Sequence, residues 1–198
     1  MPVTLDSPLN YARQENTPKT EKHIKIEKTQ NTQNCTNNHF IGVEGGASKT
    51  TICLVSQTGK IIETITGEST NPFTVPAERC LLIFKQLITE ILKLHPEKRI
   101  SCAGFALSGG QSEETEQIKN QLELEFPQIG ECYFTIDTYG AIATACEKGG
   151  IVLIAGTGSN GLIVDANGKK LGNCGGWGHL FGDEGSAFDI AKRAMQLI

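Results

Sequence analysis

Three short apolar runs follow one another with little but turn residues between them: Phe40–Glu44, Thr51–Ser56 and Ile61–Gly67. Strands this closely spaced pair antiparallel, because a parallel crossover needs a dozen or more residues. After Asn71-Pro72 the pattern changes. Cys80, Phe84, Leu87, Ile88 and Ile91 recur at helical spacing until His95-Pro96 stops the helix. Ile100–Leu107 is a continuous apolar run, read as a strand buried on both faces. Ser112 caps a second helix whose first turn carries Glu113 and Glu114. Cys132–Ile136 is a further strand, and Asp137 opens a small-residue helix through Ala145. This order predicts an α/β fold, a mixed five-stranded sheet with helices packed on it.

After Gly149-Gly150 the pattern restarts with strands at Ile151–Ala155, Gly161–Val164 and Lys169–Gly172, then a helix over Asp183–Ile198. That order repeats the first half of the first unit, as an internal duplication would. Three segments are expected: a disordered extension over 1–38, a first lobe over 39–148, and an incomplete second lobe over 149–198. The extension is rich in Asn, Thr, Gln and Lys and has Tyr11 as its one aromatic residue. It carries too little apolar surface to offset its ordering entropy. A second lobe lacking part of its covering elements would expose Ile151–Ala155 and Leu162–Val164.

Composition excludes several classes. A net charge of −4 and a pI near 5.6 leave no electrostatic case for nucleic acid or an anionic membrane. No run approaches the roughly 20 apolar residues of a membrane span, and the N-terminus has no apolar signal region, so the cytoplasm is the expected compartment. The 7 cysteines contain no C-x-x-C pair, which argues against a disulfide framework and against zinc. Cys53 and Cys102 sit inside apolar runs, where cysteine acts as a small hydrophobe.

Four features carry chemistry. Gly45-Gly46-Ala47-Ser48-Lys49-Thr50 lies between two strands, where glycine N–H groups and hydroxyls can form an anion nest. A hairpin turn with no ligand is the commoner explanation of such a stretch. Gly156-Thr157-Gly158-Ser159-Asn160 is a second such turn, at the matching place in the second unit. Facing one another, the two would clasp a polyphosphate. Asp137, at a strand end and a helix start, is placed either to cap the helix or to serve as a general base on a rigid element. Gly175-Gly176-Trp177-Gly178-His179 with Gly182-Asp183-Glu184-Gly185-Ser186 surrounds the single Trp with glycines, which are costly where no special backbone is needed. Trp and carboxylate together suit a sugar; the plainer reading is a tight loop with Asp183 capping the last helix and His179 as a hydrogen-bonded structural residue.

Taken in order, VEGGASKT, Ser69-Thr70-Asn71, ALSGG at Ala106–Gly110, the aspartate of TIDTYG, AGTGSN and CGGWGHLFGDEGSA resemble the N-acetylglucosamine kinases from about Phe40 to Ile198. Those kinases sit within the BadF/BadG/BcrA/BcrD ATPases of the actin-like ATPase superfamily. The resemblance implies an actin-like (ribonuclease H-like) lobe followed by the start of a second. It implies phosphate contacts at Gly45, Gly46, Ser48, Thr157 and Gly158. It implies sugar contacts at Asn71, Asp137, Ser159, Asn160, Gly176, Trp177 and Asp183, with Asp137 as catalytic base. Ala47 stands where the family usually has glycine, and Ser48 where it has threonine.

The implied activity is transfer of phosphate from ATP, with Mg2+, to the 6-hydroxyl of N-acetyl-D-glucosamine, by a protein that forms a homodimer in the family. Because the family's chain continues well beyond residue 198, the expectation is a chain weak or inactive alone. Two alternatives stay open: a non-catalytic sugar-binding form, and an activator ATPase of a radical dehydratase. The second needs cysteines placed around an iron–sulfur cluster, whereas most of these lie in expected core strands.

Overall fold

The computed structural model describes residues 38–72, 74–109 and 112–197. The expected disordered extension lies outside the described residues except for Asn38, which opens the first strand. Strands β1 (Asn38–Gly45), β2 (Thr50–Ser56) and β3 (Ile61–Gly67) form an antiparallel meander. Strands β4 (Arg99–Leu107) and β5 (Glu131–Ile136) then join parallel to β1, giving one mixed sheet in the order β3-β2-β1-β4-β5.

Helices α1 (Ala77–Leu94) and α2 (Glu113–Glu125) bury their apolar sides in this sheet's core. In α1, Cys80, Ile83, Phe84, Leu87, Ile88 and Ile91 form the inward stripe. The helix ends at His95, whose N–H still reaches Ile91 O, because Pro96 has no N–H to continue it. Ser112 caps α2 as expected. Its Oγ accepts from Thr115 N at 3.3 Å while Thr115 Oγ1 accepts from Ser112 N at 2.9 Å.

Phe105 is the centre of the core, edge-on to Phe84 at 5.3 Å and stacked on Phe134 at 4.3 Å. Each fully buried side chain of this size contributes about 1.5–3 kcal/mol. Cys80 and Cys132 belong to this core, whereas Cys53 and Cys102 are only half-buried.

β4 is not buried on both faces. Ala103, Phe105 and Leu107 are buried while Cys102, Gly104 and Ala106 between them are half-covered. The reason is that α3 (Asp137–Ala145), on that side, is short and divides its surface between two sheets. The second sheet, β6-β7-β8, consists of β6 (Gly150–Ala155), β7 (Ser159–Val164) and β8 (Lys170–Gly175), all antiparallel. Ile142 of α3 packs with Leu162 and Val164 in a small second core. In this sheet the exposed large apolar residues are Ile151, Leu153, Ile163 and Leu171, whereas Leu162 and Val164, expected to be bare, are buried.

The last helix, α4 (Ala187–Met195), starts later than expected. Its cap is Ser186, whose Oγ accepts from Asp189 N at 3.1 Å; Asp183 stands outside the helix. No helix among the described residues is long and apolar enough to cross a membrane.

Candidate active site

The parallel strands set the first part of the site. Gly45 is in register with Leu107 of β4, and Leu107 with Ile136 of β5, so the strands end on one line. The next residues, Gly46, Ser108 and Asp137, therefore share the carboxyl edge of the sheet, where ligands of open α/β sheets bind. Ser108 N–H donates to Gly45 O at 3.0 Å and ties two of these ends together. Two strand spacings separate Gly46 from Asp137, roughly 10 Å along the edge.

Asp137 is the first residue of α3, and the cap position belongs to Ile136, which offers no side-chain bond. The capping role open to Asp137 from sequence is thus corrected. Its Oδ1 accepts from Thr138 N at 2.8 Å. Burial pushes its pKa above the ordinary aspartate value, against the lowering pull of the backbone bonds at Thr138 and Asp137. A carboxylate so placed is a stronger base than one in water. Beside it, the Thr138 Oγ1 is buried with no hydrogen-bond partner among the described residues.

The first glycine turn is closed by Gly46 N–H to Lys49 O at 3.0 Å, leaving Ala47, Ser48 and Lys49 exposed. Ser69 Oγ donates to Gly46 O at 3.0 Å and accepts from Asn71 N at 3.3 Å. Beneath it the buried hydroxyls of Thr50 and Thr70 meet at 2.8 Å. A side chain on Gly45 would strike Thr70 Oγ1, so only glycine admits this approach. The phosphate-type turn and the buried Asn71 are thereby held on one strap. The sequence alone assigns no role to Ser69 and Thr70; their only signal there is a pair of hydroxyls just past the end of a strand.

The second glycine turn joins β6 to β7, with Thr157 exposed at its tip. Gly156 O accepts from Ala187 N at 2.9 Å, so the start of α4 anchors one side of it. Asn160 pairs with Gly175 across β7 and β8, and its side chain lies against the bare Cα of Gly176. Gly175, Gly176 and Gly178 have φ of +81°, +76° and +74°, the special backbone that their clustering predicted. Trp177 is 73% exposed, and His179 packs on the Phe188 ring at 4.6 Å. Asp183 is 8% exposed, and its Oδ1 accepts from Ser159 N at 3.0 Å.

Most of the expected residues thus fall into two groups, while Ser48, Thr157 and Trp177 stand exposed beside them. Gly45, Gly46 and Asn71 are joined through Ser69, with Asp137 on the same sheet edge. Gly158, Ser159, Asn160, Gly176 and Asp183 are joined through the ends of β7 and β8. α3 links the groups: Asp137 begins it, and its end lies where the Cys146 Sγ abuts Gly150 at the start of β6. β6 and β7 both pack against this helix.

Residues 41–198 match the model of the BadF/BadG/BcrA/BcrD ATPase family. An N-acetylmuramic acid/N-acetylglucosamine kinase of Clostridium acetobutylicum is 28% identical over 161 residues, which is 80% of this chain and 52% of that protein. An N-acetyl-D-glucosamine kinase of Dictyostelium discoideum is 27% identical over 165 residues, 76% of this chain and 51% of its own length. The chain therefore spans about half the length of the curated relatives it matches. A solved structure from Porphyromonas gingivalis, assigned by name as an N-acetylglucosamine kinase, superposes with a TM-score of 0.67 at 24% identity, covering 79% of this chain and 55% of that one. At that identity the likeness carries the fold alone, an α/β lobe built on a mixed five-stranded sheet.

Proposed function

The chain belongs to the BadF/BadG/BcrA/BcrD ATPase family, and on that premise we propose that it serves phosphoryl transfer from ATP to the 6-hydroxyl of N-acetyl-D-glucosamine. The observation that carries this reading is the shared sheet edge. A glycine turn suited to phosphate and a half-buried aspartate suited to deprotonating a hydroxyl follow strand ends that are in register. Phosphoryl transfer asks for positioning and charge neutralisation more than for covalent chemistry.

In this reading the first turn, at Gly45, Gly46 and Ser48, and the second, at Thr157 and Gly158, bind the phosphate oxygens. Asn71, Ser159, Asn160, Gly176, Trp177 and Asp183 surround the sugar. As the sugar's 6-oxygen forms its bond to the γ-phosphorus and ADP departs, the carboxylate of Asp137 takes the hydroxyl proton. That contribution is typically ~10²–10⁴-fold. Magnesium, arriving on the nucleotide, would neutralise its phosphate oxygens. Among the described residues no three His, Cys, Asp or Glu side chains converge on a metal position, so no protein ligands are assigned to it.

The test is ADP release from the purified protein with ATP, magnesium and a panel of N-acylated hexosamines, with the product's phosphate located by NMR. Phosphate on the 6-oxygen of N-acetylglucosamine is the expected product. ATP consumption indifferent to any sugar would overturn the assignment.

A further inference from the structure

Asp183 is the one non-glycine residue with a left-handed backbone among the described residues, at φ +67°. It is nearly buried, and among the described residues its carboxylate has no cationic partner. A buried carboxylate and a strained backbone both cost free energy, so this arrangement persists only where its surroundings hold it. What holds it is the second glycine turn. Asp183 Oδ1 accepts from Ser159 N at 3.0 Å, and Oδ1 and Oδ2 lie 3.2 and 3.1 Å from where a Cβ on Gly158 would stand. The other side of the same residue is held by the other end of the same strap, since Gly176 N–H donates to Ser159 O at 3.0 Å. The segment from Gly176 to Asp183 is thus latched at both ends onto the peptide of Ser159, and Ala187 N–H fixes Gly156 from behind.

From this geometry we propose that Asp183 is a positioning residue that locks the Thr157-Gly158 turn in its phosphate-binding shape, coupling the sugar-side strap to the nucleotide side. The proposal rests on the kinase reading above and adds a role that a sugar contact alone would not have. Oδ1 is committed to the turn, which leaves Oδ2 for a substrate hydroxyl.

Three variants separate the roles. Asp183→Ala removes the acceptor, Asp183→Asn keeps an acceptor oxygen without the charge, and Gly158→Ala crowds the latch while leaving the carboxylate intact. Two readouts are needed: hydrogen exchange at the Ser159 amide without ligand, and calorimetric affinity for magnesium with a non-hydrolysable ATP analogue and, separately, for N-acetylglucosamine. Asp183→Ala should speed Ser159 exchange and weaken the nucleotide analogue by about tenfold or more, the scale of losing a hydrogen bond to a charged acceptor. Asp183→Asn should keep most of the Ser159 protection, and Gly158→Ala should weaken the analogue without touching the carboxylate. If Asp183→Ala weakens the sugar alone, with Ser159 protection and analogue affinity as in the wild type, the latch is refuted. Should Asp183→Ala not fold, unchanged analogue affinity and Ser159 protection in Gly158→Ala would refute it equally. A wild-type protein that phosphorylates no hexosamine would remove the kinase reading, yet faster Ser159 exchange in Asp183→Ala would still uphold the latch.

Discussion

Asp137 combines two opposed demands. Burial raises its pKa, so the folded state holds the proton more tightly than the unfolded chain does. The stability this group contributes is present at low pH and is lost as pH rises through the raised folded value. Catalysis needs the other form, the free carboxylate. Asp137→Asn should therefore lower kcat by ~10²-fold or more with a smaller change in KM for sugar, yet match or exceed the wild type in thermal stability at neutral pH. The excess should shrink on acidification. The acid limb of kcat/KM should lie above the ordinary aspartate range, because the protonated carboxyl cannot accept the hydroxyl's proton. Melting scans across pH and a pH–rate profile check both statements; a variant with wild-type kcat would leave Asp137 a structural residue. The cysteines give an independent check of packing. Burial pushes the Cys132 thiol up to about 11, while Cys174 is exposed. Alkylation at pH 8 should modify Cys174 rapidly and spare Cys132 until the protein unfolds, as peptide mapping would reveal.

At the scale of elements, α3 and α4 contrast. α3 is a short helix wedged between two sheets, and its Ile142 is the main contact between the first lobe and the β6-β7-β8 sheet. Ile142→Ala should cost about 2–4 kcal/mol, with exchange rising first in β6 and β7 and not in β1 or β4. Uniform loss of protection across both sheets would show that they unfold as one unit. α4 has no buried residue in its span, so its order rests on a few bonds: the Ser186 cap, the Asp189–Arg193 pair at 2.9 Å and the Ala187 N–H to Gly156 O. Ser186→Ala removes a contribution of about 1 kcal/mol. It should fray α4 amides while leaving the global unfolding midpoint unchanged, since a helix outside the cooperative core opens by itself.

Among the described residues the two sheets are unequally covered. α1 and α2 cover one face of the five-stranded sheet, but the outer face of the second sheet leaves Ile151 at 68% and Leu153 at 80% exposure, on an edge strand. Exposed apolar strands at an edge are templates for association. The chain should therefore self-associate with rising concentration, and Leu153→Lys should reduce this without lowering the unfolding midpoint. Light scattering behind size-exclusion chromatography is the measurement; a wild type that stays monomeric throughout would show that this face is tolerated in water.

Element identities and order were legible in the residues alone, because period-2 and helical patterns, Pro96, and the Ser112 cap are local signals that tertiary packing here had no reason to override. The glycine turns and Asp137 were legible as candidates for the same reason: each sits at a strand end marked by its neighbours. Burial was legible only in part. Leu162 and Leu153 are equally apolar in sequence, yet one is buried and the other bare, because α3 covers a single face of the second sheet. The commitment of Asp183 was not legible either. Its place before Ser186 looked like a helix start, and nothing local separates a capping aspartate from one turned back to a peptide 24 residues earlier. Only the folded chain, by bringing Ser159 between Gly176 and Asp183, decides which hydrogen bond that carboxylate makes.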